Sequence, residues 1–231
     1  MDFDQYLRAN ENNQHNTAVK YCLNLKRVMN TAVVKNYIPF NPLSNHKTVY
    51  KLTPQVYLEE YELRNIQEAR LTKLNHKLVH DLFVFQCLTG LAYTDMMNLK
   101  SNDLIIDSQG RSWIIKPRQK TGVISTIPIL PAAKEILNKY RSQEISSNNF
   151  FTGYAIQKYN QYLNEIGDLL GINKKLSSHV GRRSFGNIAL GRGVSINVVS
   201  KILGHSSTRI TETVYAVTTR DIISRELIKW G

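Results

Sequence analysis

Cysteine is scarce in this chain of 231 residues, which contains only Cys22 and Cys87. Each lies in an apolar stretch with helical spacing, where a free thiol behaves as a small hydrophobic group, so we expect neither a disulfide nor a metal site. No window approaches the roughly 18 consecutive apolar residues of a membrane span. The start, MDFDQYLRAN, lacks the basic and apolar blocks of a secretion signal. These absences predict a soluble cytoplasmic protein without a membrane partner.

Acidic residues are too few to balance the basic ones. The chain has 30 Lys/Arg and 18 Asp/Glu, a formal net charge of +12 and a pI near 9.7. Residues 1–99 contain 11 Lys/Arg and 9 Asp/Glu, whereas residues 100–231 contain 19 and 9. Such a surplus favours phosphate neutralisation and salt-sensitive binding to a polyanion. Basic surfaces also occur on proteins that bind no nucleic acid, so charge alone leaves the question open.

The first part of the chain predicts a small helical unit followed by a linker. A short helix over FDQYLRAN precedes a longer one over residues 16–36, and NYIPFNPLSNHK then places two prolines among three asparagines. We therefore expect a partial helical domain at 1–41, a linker at 42–53 and a second domain at 54–231. Two helices bury little apolar surface, so the first unit looks incomplete.

The second part predicts a mainly α domain with a small three-stranded antiparallel sheet. Amphipathic helices are predicted over Leu63–Leu71 and Leu78–Leu88, and the pattern breaks at Gly90 after the second helix. Three β-branched runs, LIID, RSWIIKPR and VISTIPIL, follow and are separated by the turn sequences SQG and KTG. Helical patterns then resume at Pro131 and continue to the C-terminus.

Near the C-terminus, His179 and Arg182 lie three residues apart, after a serine suited to cap a helix. At such a helix start, Arg182 could grip two oxygens of a phosphate while His179 accepts a proton. Taken singly, a capping histidine and a solvated arginine face are the simpler explanations. His205 follows a helix that Gly204 is suited to end, and Tyr215 lies ten residues later. A tyrosine attacks phosphorus usefully only when a base and cationic donors surround it; otherwise packing explains it better.

Four ordered segments resemble the tyrosine recombinase, or phage integrase, family. They are CLTGLAYTDMMNLK, RQKTGVISTIPIL, SSHVGRRSFGNIALGRGVSINVVSKILGHSS and ETVYAV, and NTAVKYCLNLKRVMNTAVVKNYIPFNP is similar to the end of the family's core-binding domain. The resemblance implies a clamp on duplex DNA, cleavage through a 3'-phosphotyrosyl linkage and rejoining to another strand, without metal or cofactor. It also implies a bacterial, nucleoid-associated protein of a mobile element.

Residue by residue, the resemblance implies five catalytic groups. Tyr215 matches the nucleophile, His179 and Arg182 match the His-x-x-Arg pair, His205 matches the histidine at the scissile phosphate, and Lys120 matches the hairpin lysine that protonates the leaving oxygen. Lys120 could also be a solvated turn residue. Further basic residues around these motifs are expected to contact DNA: Arg118, Lys174, Lys175 and Arg183.

One departure from the family puts cleavage in question. Where the family motif TGLR has arginine, this chain has Ala92, although Asp95 keeps the acidic position that supports the arginine site. Loss of one donor to the transition state costs about 2.7 to 4 kcal/mol. Arg64, Arg70 and Arg118 could replace it, and the sequence does not choose among them. A catalytically impaired DNA-binding relative, or a type IB topoisomerase, remains an alternative to a recombinase.

Two further expectations concern the end of the chain. Thr208, Arg209 and Thr211 suggest a polar, mobile loop before Tyr215, in an interval about one residue longer than is common in the family. The helical pattern RDIISRELIKW carries an apolar stripe that could pack on its own domain or dock on a neighbouring protomer. The resemblance favours docking within a homotetramer on DNA, with room for an accessory DNA-bending protein.

Overall fold

The computed structural model describes residues 3–9, 11–51, 53, 55–141 and 149–215, with the backbone alone at 213–215. The chain divides into two compact units, Met1–Pro54 and Gln55–Gly231. Within the described residues, no helix is both long and apolar enough to cross a membrane. The expected tail helix RDIISRELIKW lies outside the described residues.

The first unit is built on two helices, α1 (Phe3–Ala9) and α2 (His15–Val34). Its buried apolar cluster consists of Leu7, Ala18 and Cys22, as small as the sequence predicted. Hydrogen bonds hold the expected linker against α2: the Lys26 ammonium donates to the Ser44 carbonyl at 2.7 Å, and Asn16 pairs with both backbone groups of Lys51. The described part of 42–53 therefore belongs to the first unit.

The second unit is organised around one buried helix. The helix α3 (Glu60–Glu68) precedes α4 (Leu74–Thr89), whose apolar residues cover most of its circumference. Further helices are α5 (Tyr93–Met97), α6 (Pro131–Arg141), α7 (Ile156–Leu169) and α8 (Ser178–Gly191), and α4 packs against α3, α6, α7 and α8. Because α4 is surrounded, its C-terminal end at Gly90 is fixed in the interior, where several motifs meet.

A three-stranded sheet lies between α5 and α6, after a short 3-10 helix at Ser101–Asp103. The strands β1 (Leu104–Ile106), β2 (Ser112–Pro117) and β3 (Ile124–Pro128) are antiparallel in the order β1-β2-β3. The turn between β2 and β3 is closed by hydrogen bonds between Arg118 and Val123 and from the Gly122 amide to the Arg118 carbonyl. The predicted fold class, mainly helical with one small antiparallel sheet, is confirmed.

Two helices complete the description, α9 (Ile196–Leu203) and α10 (Thr208–Tyr215). Gly204 ends α9 in the left-handed conformation, with φ of 59°, as the sequence predicted. The mobile loop expected before Tyr215 is wrong, because Thr208 begins a helix and Thr211 is fully buried. Polar residues favour a loop, but the hydrogen bond between the buried Thr211 hydroxyl and His205 overrides that preference.

Candidate active site

Arg182 is the centre of the candidate site. Its side chain rises from α8 into the interior, and the residue is only 8% exposed. One guanidinium nitrogen donates to the Gly90 carbonyl at 2.5 Å, and the other donates to the Leu203 carbonyl. Both carbonyls belong to helix ends, where backbone oxygens lack partners within the helix. Arg182 thus joins the C-terminal ends of α4 and α9, which carry two of the predicted motifs.

His179 lies on the same helix, one turn before Arg182. The cap of α8 is Ser177, not Ser178 as the sequence suggested, and the Ser178 amide instead donates to the Asn160 side chain at 2.9 Å. The pKa of His179 is lowered by partial desolvation and by the positive charges of Arg183, Arg182 and Lys120. A histidine with a lowered pKa is unprotonated near neutral pH and can accept a proton.

His205 is the second histidine of the site, placed just past the end of α9. Its amide donates to the Ser200 carbonyl at 3.0 Å, and its Nδ1 shares a hydrogen bond of 2.8 Å with the Thr211 hydroxyl. Burial, together with the charges of Arg182 and Arg118, lowers the pKa of His205 to about 4. The imidazole is therefore neutral at pH 7. Thr211 is a supporting residue that the sequence did not reveal, since no motif relates it to His205.

Arg118 follows β2 and reaches the end of α9. Its Nη1 donates to the Gly204 carbonyl at 3.2 Å, and its Nε lies 3.7 Å from a carboxylate oxygen of Asp95. The other Asp95 oxygen accepts the Gln119 amide at 2.9 Å. Asp95 lies in the first turn of α5, whose N-cap is Ala92. The acid near the missing arginine therefore faces Arg118, which the sequence named among three alternatives.

Lys120 lies at the exposed tip of the β2–β3 turn. Its charge contributes to the lowered pKa of His179, which shows that the turn approaches the start of α8. Because Asp95 fixes the turn at Gln119, the lysine extends from an anchored base. Such a placement suits a mobile cation that must reach a bound substrate.

Tyr215 is the last residue of α10. Thr211, one turn earlier on this helix, holds His205, so the backbone of the predicted nucleophile continues from an element anchored in the site. The Tyr215 side chain lies outside the described residues. Its role as nucleophile stays a prediction.

The remaining basic residues named from the sequence differ in their surroundings. The Lys174 ammonium pairs with Glu62 at 2.5 Å and lies over the Tyr57 ring at 5.9 Å. Lys175 is exposed, and Arg183 is half-buried beside His179. A contact of any of them with DNA stays a prediction.

A cluster elsewhere offers potential metal ligands that the sequence did not suggest. In the first unit, ligand atoms of Asp4, Cys22 and His46 lie within 4.8 Å of one another. Both Asp4 oxygens, however, accept hydrogen bonds from Arg8, at 2.7 and 2.9 Å. An ion would have to displace that pair, so the arrangement fits an ion pair beside a buried thiol better than a metal centre.

Comparison with known proteins agrees with this arrangement. The description "Phage integrase family" matches residues 57–220, and "Phage integrase SAM-like domain" matches residues 1–49. A tyrosine recombinase XerC-like protein from Caldanaerobacter subterraneus subsp. tengcongensis is 26% identical, over 83% of this chain and 59% of its own length. Tyrosine recombinase XerA from Pyrococcus furiosus is 26% identical, over 82% and 68%. The chain thus spans about 59% of the XerC-like relative.

Solved structures share the fold. The XerH site-specific recombinase bound to palindromic difH substrate superimposes with a TM-score of 0.78 at 15% identity, covering 98% of this chain and 71% of that one. The Tn1549 transposon integrase in complex with circular intermediate DNA gives 0.75 at 19% identity, covering 98% and 83%. The family match extends over most of the sequence, so the chain belongs to the phage integrase family.

Proposed function

We propose that the chain is a site-specific DNA recombinase that cleaves and rejoins strands through Tyr215. The observation that supports this most is that side chains from α8 and from the β2–β3 turn converge on the end of α9. They bring the Arg182 and Arg118 guanidiniums beside a neutral His205. A cluster of cations around unprotonated histidines suits a phosphate, whose charge grows as a fifth oxygen approaches phosphorus.

In the proposed reaction, the Tyr215 hydroxyl gives its proton to a nearby base, for which His179 has a suitable pKa. The phenolic oxygen then forms a bond to phosphorus, and the bond from phosphorus to the 5'-oxygen breaks. Lys120 gives a proton to that oxygen, which leaves as a hydroxyl group. Attack of another 5'-hydroxyl on the phosphotyrosine reverses these steps, so bond energy is retained and no cofactor is consumed.

A nicked duplex tests the proposal, because a short strand that leaves after cleavage traps the covalent complex. The substrates are taken from DNA flanking the gene, where a recombinase of a mobile element has its sites. We expect a denaturant-resistant protein–DNA adduct with the natural chain and none with Tyr215→Phe. Tyr61→Phe is the matched control, since this exposed tyrosine lies in α3 and should leave the adduct unchanged. Tight binding of the natural chain without any adduct would contradict cleavage and favour a DNA-binding relative.

We further propose assembly into a tetramer on DNA, with the C-terminal segment of one protomer docking on the next. A cavity of about 320 Å³ is available in the second unit, lined by apolar residues that include Leu63, Leu88, Phe185 and Ile188. The apolar stripe of RDIISRELIKW is complementary to such a surface. Truncation after Val217 should abolish synaptic complexes in a gel-shift assay while single-site binding persists. Normal synapsis by the truncated chain would contradict this assembly. We also propose an accessory DNA-bending protein as a partner. A recombination assay with and without cell extract tests for it.

A further inference from the structure

We propose that Arg118 supplies the second guanidinium to the scissile phosphate, in place of the arginine absent at Ala92. The inference rests on the proposed cleavage reaction and assigns a residue of that site. Its starting point is that the two arginines bind neighbouring peptide groups: Arg182 donates to the Leu203 carbonyl, and Arg118 to the Gly204 carbonyl. Two guanidiniums anchored on consecutive carbonyls are held next to each other despite their like charge.

Asp95 explains why Arg118 adopts this place. The carboxylate is 3% exposed, and an unpaired buried charge would be costly. One oxygen accepts the Gln119 amide, and the other faces the Arg118 Nε at 3.7 Å. Asp95 lies one turn after Ala92, so the carboxylate that faces Arg118 belongs to the same short segment as the substituted position.

The stem of Arg118 is fixed as well as its head. A Cβ built on Gly204 would lie 2.6 Å from Arg118 Cδ and 2.9 Å from Cγ, so the side chain runs directly over this glycine. Its path ends beside His205, whose pKa it helps to lower. An arginine held at stem and head gives the preorganised donor that transition-state stabilisation requires.

Arg118 also has donors to spare. Its Nε is buried and makes no hydrogen bond among the described residues, since 3.7 Å from Asp95 is too long for one. Among the residues that the structure describes, Arg118 and Arg182 together outnumber the Asp95 carboxylate, so the site favours an anion. The groups that face His205 are thus two cations and the neutral Thr211 hydroxyl.

The other two arginines considered from the sequence are placed differently. The Arg64 side chain is 68% exposed on α3 and pairs with Glu60 at 3.7 Å. Arg70 is exposed beyond the end of the same helix. Neither has a contact with Gly90, Leu203, Gly204 or His205 among those that the structure describes. Arg64 therefore offers a control that removes an equal charge from another surface.

The test compares cleavage by the natural chain, Arg118→Gln, Arg118→Lys and Arg64→Gln. Adduct formation is measured on two nicked substrates, one with a normal scissile phosphate and one with a methylphosphonate there. We expect Arg118→Gln to cleave the phosphate about 100-fold or more slowly, Arg118→Lys to recover part of the rate, and Arg64→Gln to match the natural chain. On the methylphosphonate, which carries no charge on phosphorus oxygen, the deficit of Arg118→Gln should shrink to less than about tenfold, because one guanidinium is no longer needed.

The ratio of the two rates is taken within one preparation, so it does not depend on how much of the variant is folded. A rate of Arg118→Gln equal to that of the natural chain would overturn the inference. An equal deficit on both substrates would also overturn it, because a structural role of Arg118 would slow both alike. If the natural chain forms no adduct on the phosphate substrate, the proposed function itself fails. If the natural chain does form the adduct and Arg118→Gln shows an unchanged rate or an equal deficit on both substrates, the proposed function stands and only the role of Arg118 is refuted.

Discussion

Substitution of Gly204 by alanine tests the packing that holds Arg118 in the site. Gly204 has a φ of 59°, a conformation that costs a residue with a Cβ about 1 kcal/mol. The added methyl group would also meet Arg118 Cδ at 2.6 Å and the buried Ser125 hydroxyl. Contacts this short force neighbours to move, which costs about 1 to 3 kcal/mol in a packed interior. We therefore expect Gly204→Ala to lower the free energy of unfolding by about 2 to 4 kcal/mol.

Gly171→Ala separates the backbone cost from the packing cost. Gly171 has a similar φ of 66°, but a Cβ there has no neighbour within 4 Å. Its replacement should cost only the backbone part, about 1 kcal/mol. The difference between the two variants then measures what Arg118 and Ser125 lose when they move.

Urea unfolding followed by tryptophan fluorescence is the suitable assay, because both tryptophans, Trp113 and Trp230, belong to the second unit. Unfolding of the first unit therefore adds little to the signal. Adduct formation by the same variants should follow the same order, with Gly204→Ala impaired and Gly171→Ala near normal. Equal losses of stability in the two variants would refute the close packing of Arg118 over Gly204.

Three other predictions rest on single contacts. Since burial and two arginines lower the pKa of folded His205 to about 4, below the 6.5 of the unfolded chain, the unfolded state binds more protons between these values. The free energy of unfolding should thus be highest above pH 6.5 and fall by up to about 3 kcal/mol towards pH 4. In urea unfolding at several pH values, His205→Asn should flatten that pH dependence. An unchanged pH dependence would contradict the lowered pKa. Ser184→Ala should lower the free energy of unfolding by about 1 to 3 kcal/mol, because the Ser184 hydroxyl accepts a hydrogen bond from the buried Leu58 amide at 2.8 Å. A loss no larger than that of Ser206→Ala, at an exposed serine, would count against this bond. In fluorescence anisotropy, Lys175→Ala should reduce the slope of log K for DNA binding against log salt concentration by about 0.9. Lys174→Ala should change that slope less, because the Lys174 ammonium already pairs with Glu62. The reverse order would show that Lys174 leaves Glu62 to bind DNA.

Local patterns in the sequence were enough to predict most of the secondary structure. Helical spacing located α2, α4 and α9, and glycine turns between β-branched runs gave the antiparallel sheet. Gly204 was assigned as a helix end because it directly follows the apolar helical pattern INVVSKIL. Errors arose where a partner outside the local pattern decides the outcome: the Ser178 amide donates to Asn160, and Thr211 is buried against His205. A capping serine and a polar loop are the local readings of those residues.

The candidate site likewise has features that local sequence predicts and features that depend on residues elsewhere in the chain. Arg182, His179, His205 and Lys120 were named as candidates because each belongs to a short motif with fixed neighbours. Their mutual arrangement was not predicted, since Arg182 depends on a carbonyl 92 residues away. Sequence motifs identify the side chains that a reaction needs. The backbone carbonyls that orient those side chains have no sequence signature, because every residue has a carbonyl group.

The replacement for the arginine missing at Ala92 shows why a substituted motif is a poor guide to lost activity. Catalysis requires a cation beside the scissile phosphate, and the cation can come from any part of the sequence. Arg118 lies 26 residues after Ala92 in the chain, and the turn that carries it is anchored by Asp95. The acid remains useful only while some guanidinium faces it, since a buried carboxylate without a partner destabilises the fold. Asp95 and Arg118 therefore depend on each other: Asp95→Asn should free Arg118 from its Nε contact and slow cleavage, and it should do so far less in an Arg118→Gln background. Additive losses in adduct formation by the double variant would show that the two residues act separately.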